Sequence, residues 1–235
     1  MNLKNFTVLG ERNSGTDIIK QLILTHFELP YTQEFGSTHF FGFYGYKSMF
    51  TDATLFISIV REPIDWIHAF YRNPQYIPAK NHDLSNFLTS PFYSIWTNSI
   101  WTNSIWTNSI CPTNSLASQT FESIIHEDRN IITNKTYKNI FELRKVKTEY
   151  LTETLPKIVK HCITIRYEDL IENPQCIIKQ IQDQYNLIAK PMDISLNQHK
   201  NQRPIIEFTD ETIQYIKSNL DLVQENKLRY NVNIM

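Results

Sequence analysis

The stretch NFTVLGERNSGTD, residues 5–17, decides the reading of this chain. An apolar run, NFTVLG, gives way to ERNSGTD, which predicts a short strand passing through a glycine-containing turn into a helix. Gly10 and Gly15 have four residues between them, the glycine skeleton of a phosphate-binding loop, G-x-x-x-x-G. Thr16 stands where such loops carry the lysine for the β/γ-phosphates, and Asp17 where they carry the magnesium-ligating Ser or Thr. The turn is therefore shaped for an anion but lacks the parts that handle Mg-ATP.

The physical basis of that reading is general. Successive N–H groups of such a turn converge on one point, and the following helix adds unsatisfied donors and the positive end of its dipole. Ile18, Ile19, Leu22, Ile23 and Phe27 form a helical stripe after the loop. Arg12, Asn13, Ser14 and Thr16 can add side-chain donors to the amide nest. The pattern also suits an ordinary strand–turn–helix with a polar turn. Glycine usage favours the loop: the chain has five glycines, and none follows Gly45. A chain this sparing of glycine places it where the backbone requires it.

At 235 residues the chain is expected to form a single domain over 1–235, long enough for a sizeable core. A net charge of −1 gives no basic field for nucleic acid. No signal-like or membrane-spanning apolar run occurs, and Cys111, Cys162 and Cys176 have no metal-ligand spacing. These features lead to the expectation of a cytoplasmic protein with free thiols, no membrane or nucleic-acid partner and no metal. They say nothing of oligomeric state.

A second anchor is TLFISIVREPIDWIHAFYRNP, residues 54–74. Thr54 to Val60 is the continuous apolar, β-branched run of a strand buried in a parallel sheet. Pro63 suits the first turn of a helix, Asp65 its positive end, and Ile64, Ile67, Phe70 and Tyr71 continue with helical spacing. Arg61 falls at the carboxyl end of that strand, where open α/β sheets gather ligands. A guanidinium there suits bidentate contact with a phosphate, or else a surface salt bridge.

With both anchors in view, the chain resembles the PAPS-dependent sulfotransferases, in particular the branch whose phosphosulfate loop reads GERNSGT (PAPS is 3′-phosphoadenosine 5′-phosphosulfate). The matching segments are GERNSGT at 10–16, VREPIDWIHAFYRNP at 60–74, NIFELRKVKTEYL with ITIRYEDLIENP within 139–174, and IQYIKSNLDLVQENKLRY at 213–230. The resemblance implies a three-layer α/β/α fold with a central parallel sheet. It also implies in-line transfer of a sulfuryl group from PAPS to a hydroxyl or amine of a small-molecule or glycan acceptor, leaving PAP. On this reading Arg12, Asn13, Ser14, Gly15, Thr16 and Asp17 would cradle the 5′-phosphosulfate, and Arg61 would hold the 3′-phosphate. Tyr167 would lie near the adenine, and Lys200 or Arg203 would be a distal basic residue at the 3′-phosphate.

The chain departs from the family at several positions. The lysine that many relatives carry just before S-G-T is Asn13, so Arg12 is the expected source of positive charge at the bridging oxygen. The serine eight residues after the motif arginine is Ala69. In STHFFGFYGYKSMF, residues 37–50, Lys47 matches the family's GWKHG stretch but Ser48 replaces its histidine. His39 in the same aromatic segment is then the candidate general base, with Glu11 also within reach of the loop. The catalytic candidates are thus Arg12, His39 and Lys47.

The pentad I-W-T-N-S repeats three times within 94–110. Period five fits neither helix nor strand, so the repeat reads as a loop insertion with margins at 75–93 and 111–119. Trp96, Trp101 and Trp106 either decorate that loop or form an acceptor surface. Farther on, the pattern gives a helix over about 138–155, a strand at Cys162–Arg166, a helix at Pro174–Tyr185 and a last long helix capped by Thr209. Arg144 and Lys147 are expected on a solvated charged face, the alternative being that they turn toward the cleft. Beside the sulfotransferase stand two other readings: a non-catalytic PAP- or partner-binding descendant of the fold, and a divergent phosphate-loop kinase.

Overall fold

A computed structural model describes residues 3–42, 51–96, 123–190 and 207–231. Lys47, Ser48, Lys200, Arg203, Trp101 and Trp106 lie outside these residues, as does the repeat beyond Trp96. The fold is α/β, with a parallel sheet flanked by helices. Three strands, β1 (Asn5–Gly10), β2 (Thr54–Val60) and β5 (Cys162–Arg166), pair in the order β1-β2-β5. A parallel bridge from Phe6 to Tyr31 continues the pairing on the far side of β1.

The register places the site. Gly10 pairs with Ile59, and Val60 pairs with Arg166. All three strands therefore end along one edge, and Glu11, Arg61 and Tyr167 are the first residues beyond them. Every residue of β2 is buried, as a central parallel strand covered on both faces must be.

Alternation sorts the strand residues onto the two faces. Val8, Ile57 and Ile165 pack with Ile19 and Ile23 of α1 (Thr16–His26) and Ile178 of α7 (Pro174–Tyr185). Leu9, Phe56 and Val60 meet Tyr150, Leu151 and Leu155 on the other face. A third cluster joins Trp66 and Phe70 of α2 (Pro63–Arg72) to Leu143 of α4 (Ile140–Glu149) and Ile216 of α8 (Asp210–Asn219). The helices start where side chains can cap them. Glu62 accepts from the Asp65 N–H with Pro63 at the first position, Asn139 accepts from Phe141 and Glu142, and Thr209 accepts from Thr212.

Two expectations change. The helix expected over 138–155 is interrupted: after α4 comes a π-helical turn at Tyr150–Thr154, then α5 (Leu155–Ile158). Pro156 explains this, since it has no N–H to donate back and its ring crowds the carbonyl one turn earlier, so the widened turn takes up the mismatch. The Ser58 hydroxyl donates to the Leu151 carbonyl in that turn at 3.2 Å. Secondly, the loop margin at 75–93 contains a 3-10 turn at Ala79–Asn81 and helix α3 (Leu84–Thr89), which buries Phe87 and Leu88. Asp83 caps α3 through the Asn86 N–H at 3.0 Å. Beyond α3, β3 (Ile95–Trp96), at the start of the repeat, pairs antiparallel with β4 (Ser123–Ile124), downstream of it.

Candidate functional site

The turn between β1 and α1 is held from outside by its carbonyls. Trp66 donates its indole N–H to the Arg12 carbonyl at 2.9 Å, and Arg61 donates Nη1 to the Asn13 carbonyl at 3.0 Å. The Ser14 N–H closes the turn onto the Glu11 carbonyl at 3.1 Å. Asn13 at φ 63° and Gly15 at φ 93° take the left-handed conformation, which Asn and Gly tolerate best. The N–H groups of Asn13, Gly15 and Thr16 donate to nothing among the described residues. They are the free donors that an amide nest at a helix start requires.

The side chains of the loop divide. Ser14 is buried, and its hydroxyl has no partner among the described residues. Asp17 points to solvent with only a 3.8 Å contact to Lys20. Thr16 is buried at the helix start. Arg12, expected to face a phosphosulfate, is 0 % exposed and turns into the protein. There Nη2 meets Asp128 at 3.0 Å and Glu11 at 3.3 Å, and Nη1 donates to the Ser94 hydroxyl at 2.6 Å. Phe40, Phe70 and Phe92 rings surround the guanidinium, the nearest centroid at 4.7 Å. Burial disfavours its charged form, but the Glu11 and Asp128 carboxylates outweigh that and hold its pKa above the usual value.

Arg144 and Lys147, expected on a solvated face of α4, are buried there instead. The reason is charge pairing with residues far away in sequence. Lys147 Nζ donates to Glu11 at 2.8 Å, to the His39 carbonyl at 2.8 Å and to Asp128. Arg144 engages both carboxylate oxygens of Glu225 and donates to the Arg61 carbonyl at 2.9 Å. Asp128 is buried too; desolvation would raise its pKa, yet Lys147 and Arg12 bring it below the carboxylate range.

Arg61 lies where the sheet edge meets the loop. Its guanidinium stacks over the Tyr167 ring at 4.4 Å, and its buried Nε has no partner. The Tyr167 ring also abuts Gly15, so one face carries the guanidinium and an edge supports the loop. Glu168, next along, accepts from the Glu62 N–H at 2.7 Å and the Tyr230 hydroxyl at 2.9 Å, fixing α6 (Tyr167–Glu172) against the start of α2.

His39 Nδ1 sits 2.8 Å from the Gly10 carbonyl. A carbonyl only accepts, so Nδ1 carries the proton and Nε2 keeps its lone pair, with no partner among the described residues. Desolvation by burial lowers its pKa, with Arg12 and Lys147 acting in the same direction. A cavity of about 10 Å³, room for a single water, lies under the loop and is lined by Glu11, Ser14, Arg61, Trp66, Arg144 and Lys147. No cluster of three potential metal ligands occurs among the described residues. Nor is any of their helices long and apolar enough to cross a membrane.

The structure thus gathers Asn13, Ser14, Gly15, Thr16, Arg61, Tyr167 and His39 at one edge, while Arg12 lies beneath the loop rather than on it. Asp128, Ser94 and Lys147 bind this edge together. Lys147, with Arg144, was legible only as the alternative in which the pair turns toward the cleft, and Asp128 and Ser94 carry no signal in the sequence. No protein-family description, curated protein or solved structure matches this chain.

Proposed function

We propose that the chain binds PAPS through the Gly10–Thr16 loop and Arg61, and transfers its sulfuryl group to an acceptor hydroxyl. The observation that carries this reading is Arg61 beside unpaired loop amides. A cation with a buried, unpartnered Nε stands at the carboxyl end of β2, next to free N–H groups of Asn13, Gly15 and Thr16. Two anionic groups at separate points of one ligand suit that pair of donors, as the 5′-phosphosulfate and 3′-phosphate of PAPS would. The cavity under the loop is water-sized, so the nucleotide would lie along the open edge of the sheet.

In this account the amides and the Ser14 hydroxyl hold the phosphosulfate, and Arg61 holds the 3′-phosphate. His39 takes the acceptor proton at Nε2, its tautomer set by Gly10. The bond from sulfur to the phosphate oxygen breaks as the bond to the acceptor oxygen forms. Arg12 acts at one remove, by shaping the loop.

One observation favours a second reading, a PAP-binding protein without transferase activity. Arg12 is fully enclosed and Asn13 occupies the family's lysine position, so the loop itself presents no cationic side chain to a bridging oxygen. The experiment is thermal stabilisation by PAP, with 5′-AMP and Mg-ATP titrated in parallel, followed by a transfer assay. A native-state ligand at a hundredfold excess over its Kd stabilises by about 2.7 kcal/mol. Stabilisation by PAP and not by 5′-AMP supports 3′-phosphate recognition, and transfer to a hydroxyl acceptor then separates enzyme from binder. Stabilisation by Mg-ATP alone overturns the proposal in favour of a kinase.

A further inference from the structure

Under the loop, four buried charges close into a ring. Arg12 Nη2 contacts Glu11 Oε2 and Asp128 Oδ2, while Lys147 Nζ contacts Glu11 Oε1 and Asp128 Oδ1. Each carboxylate thus gives one oxygen to each cation, and the two positive charges balance the two negative ones. The side chains of Arg12 and Asp128 are 0 % exposed, that of Lys147 2 % and that of Glu11 8 %, so solvent screens these contacts little.

We propose that Asp128 is a positioning residue for the phosphate-binding loop, acting through Arg12 and Lys147; this rests on the phosphate-loop reading above. Glu11 and Arg12 are consecutive loop residues whose carbonyls receive the Ser14 and Trp66 donors. Fixing both side chains fixes the peptide planes from which the free amides of Asn13 and Gly15 follow. Without Asp128, Arg12 keeps Glu11 and Ser94 but loses the buried carboxylate that draws its guanidinium inward.

The same carboxylate governs the candidate base. Lys147 donates to Glu11, Asp128 and the His39 carbonyl, and Nζ has three protons for these three acceptors. Asp128 therefore holds the ammonium that pins the backbone of His39, whose ring reaches Gly10. Ser94, just before β3, donates to Asp128, which lies just after β4. The paired strands β3 and β4 are thereby tied to the loop through the residues flanking them. Asp128 comes from a segment with no sequence signature, yet it connects the amide nest and the base.

A purely stabilising carboxylate would act differently, and the test uses that difference. Asp128→Asn keeps the shape and removes the charge. Leu220→Ala, in the third cluster just after α8, supplies a destabilised control that takes no part in the charge ring. The readouts are PAP affinity and the amide NMR signals of Gly10 and Gly15, two of only five glycines in the chain. Positioning requires that Asp128→Asn displaces both glycine signals and weakens PAP by about tenfold or more, while Leu220→Ala does neither. Should Asp128→Asn not fold, the charge-balanced pair Asp128→Asn with Lys147→Met replaces it, with the same outcome expected.

Unmoved glycine signals, or equal displacement in the control, overturn the inference. If the wild-type protein binds no PAP, the functional reading falls, and the glycine signals alone decide the role of Asp128.

Discussion

The Tyr167 ring lies so close to Gly15 that a β-carbon on Gly15 would sit 2.5 Å from Cδ2 and 2.9 Å from Cε2. The two residues come from opposite ends of the described sheet, Gly15 after β1 and Tyr167 after β5. Both reach the same point because the parallel register ends the strands together. Arg61, just beyond β2 between them, stacks on a face of the ring. Tyr167 therefore works as a wedge that supports both proposed anion donors.

Gly15→Ala combines this clash with a φ of 93°, which L-residues adopt at a cost of about 1–2 kcal/mol. The variant is expected to lose more than that in urea denaturation, together with PAP binding. Adding Tyr167→Ala removes the clash with the ring and leaves the backbone strain, so stability returns only in part.

Arg12→Met tests whether this arginine shapes the loop from below. It leaves Asp128 and Glu11 with Lys147 alone in a buried setting, where breaking such a pair costs about 3–5 kcal/mol. Denaturation should show a large loss of stability without any ligand present. An arginine acting only on bound phosphosulfate would lower turnover and leave stability unchanged.

Acid should weaken the fold through His39. Its folded pKa is depressed, chiefly by burial, below the unfolded value of 6.5. The stabilisation from its neutral form is therefore present above pH 6.5 and is lost as pH falls through the folded pKa. The depressed pKa of Asp128 acts with the same sign, beginning at lower pH. Between pH 7 and 5, the Tm of His39→Gln should fall less than that of the wild type. If His39 is the base, transfer by the wild type rises with pH through that same pKa and then levels off.

Much of the architecture was legible because it is written in local periodicity. The all-apolar TLFISIV, the stripe after GERNSGT and the helix starts at Pro63 and Thr209 each declare an element within a few residues. The loop was legible from two glycines, since its conformation depends on them. The direction of Arg12 was not, because it follows from Asp128, 116 residues away, and from three phenylalanines on other segments. Lys147 shows the same limit: a lysine on a helix reads as solvated until Glu11 and Asp128 are brought beside it. Helix α3 was hidden because its six residues carry too short a stripe to stand out beside the repeat.

The central claim is that Arg61 and the loop amides read two separate anionic groups of one nucleotide. Isothermal titration of PAP and 5′-AMP into wild type and Arg61→Ala tests it most directly. The account predicts that PAP binds the wild type far more tightly than 5′-AMP does, and that Arg61→Ala brings PAP close to 5′-AMP while leaving 5′-AMP nearly unchanged. Equal affinity of PAP for the two proteins would contradict it.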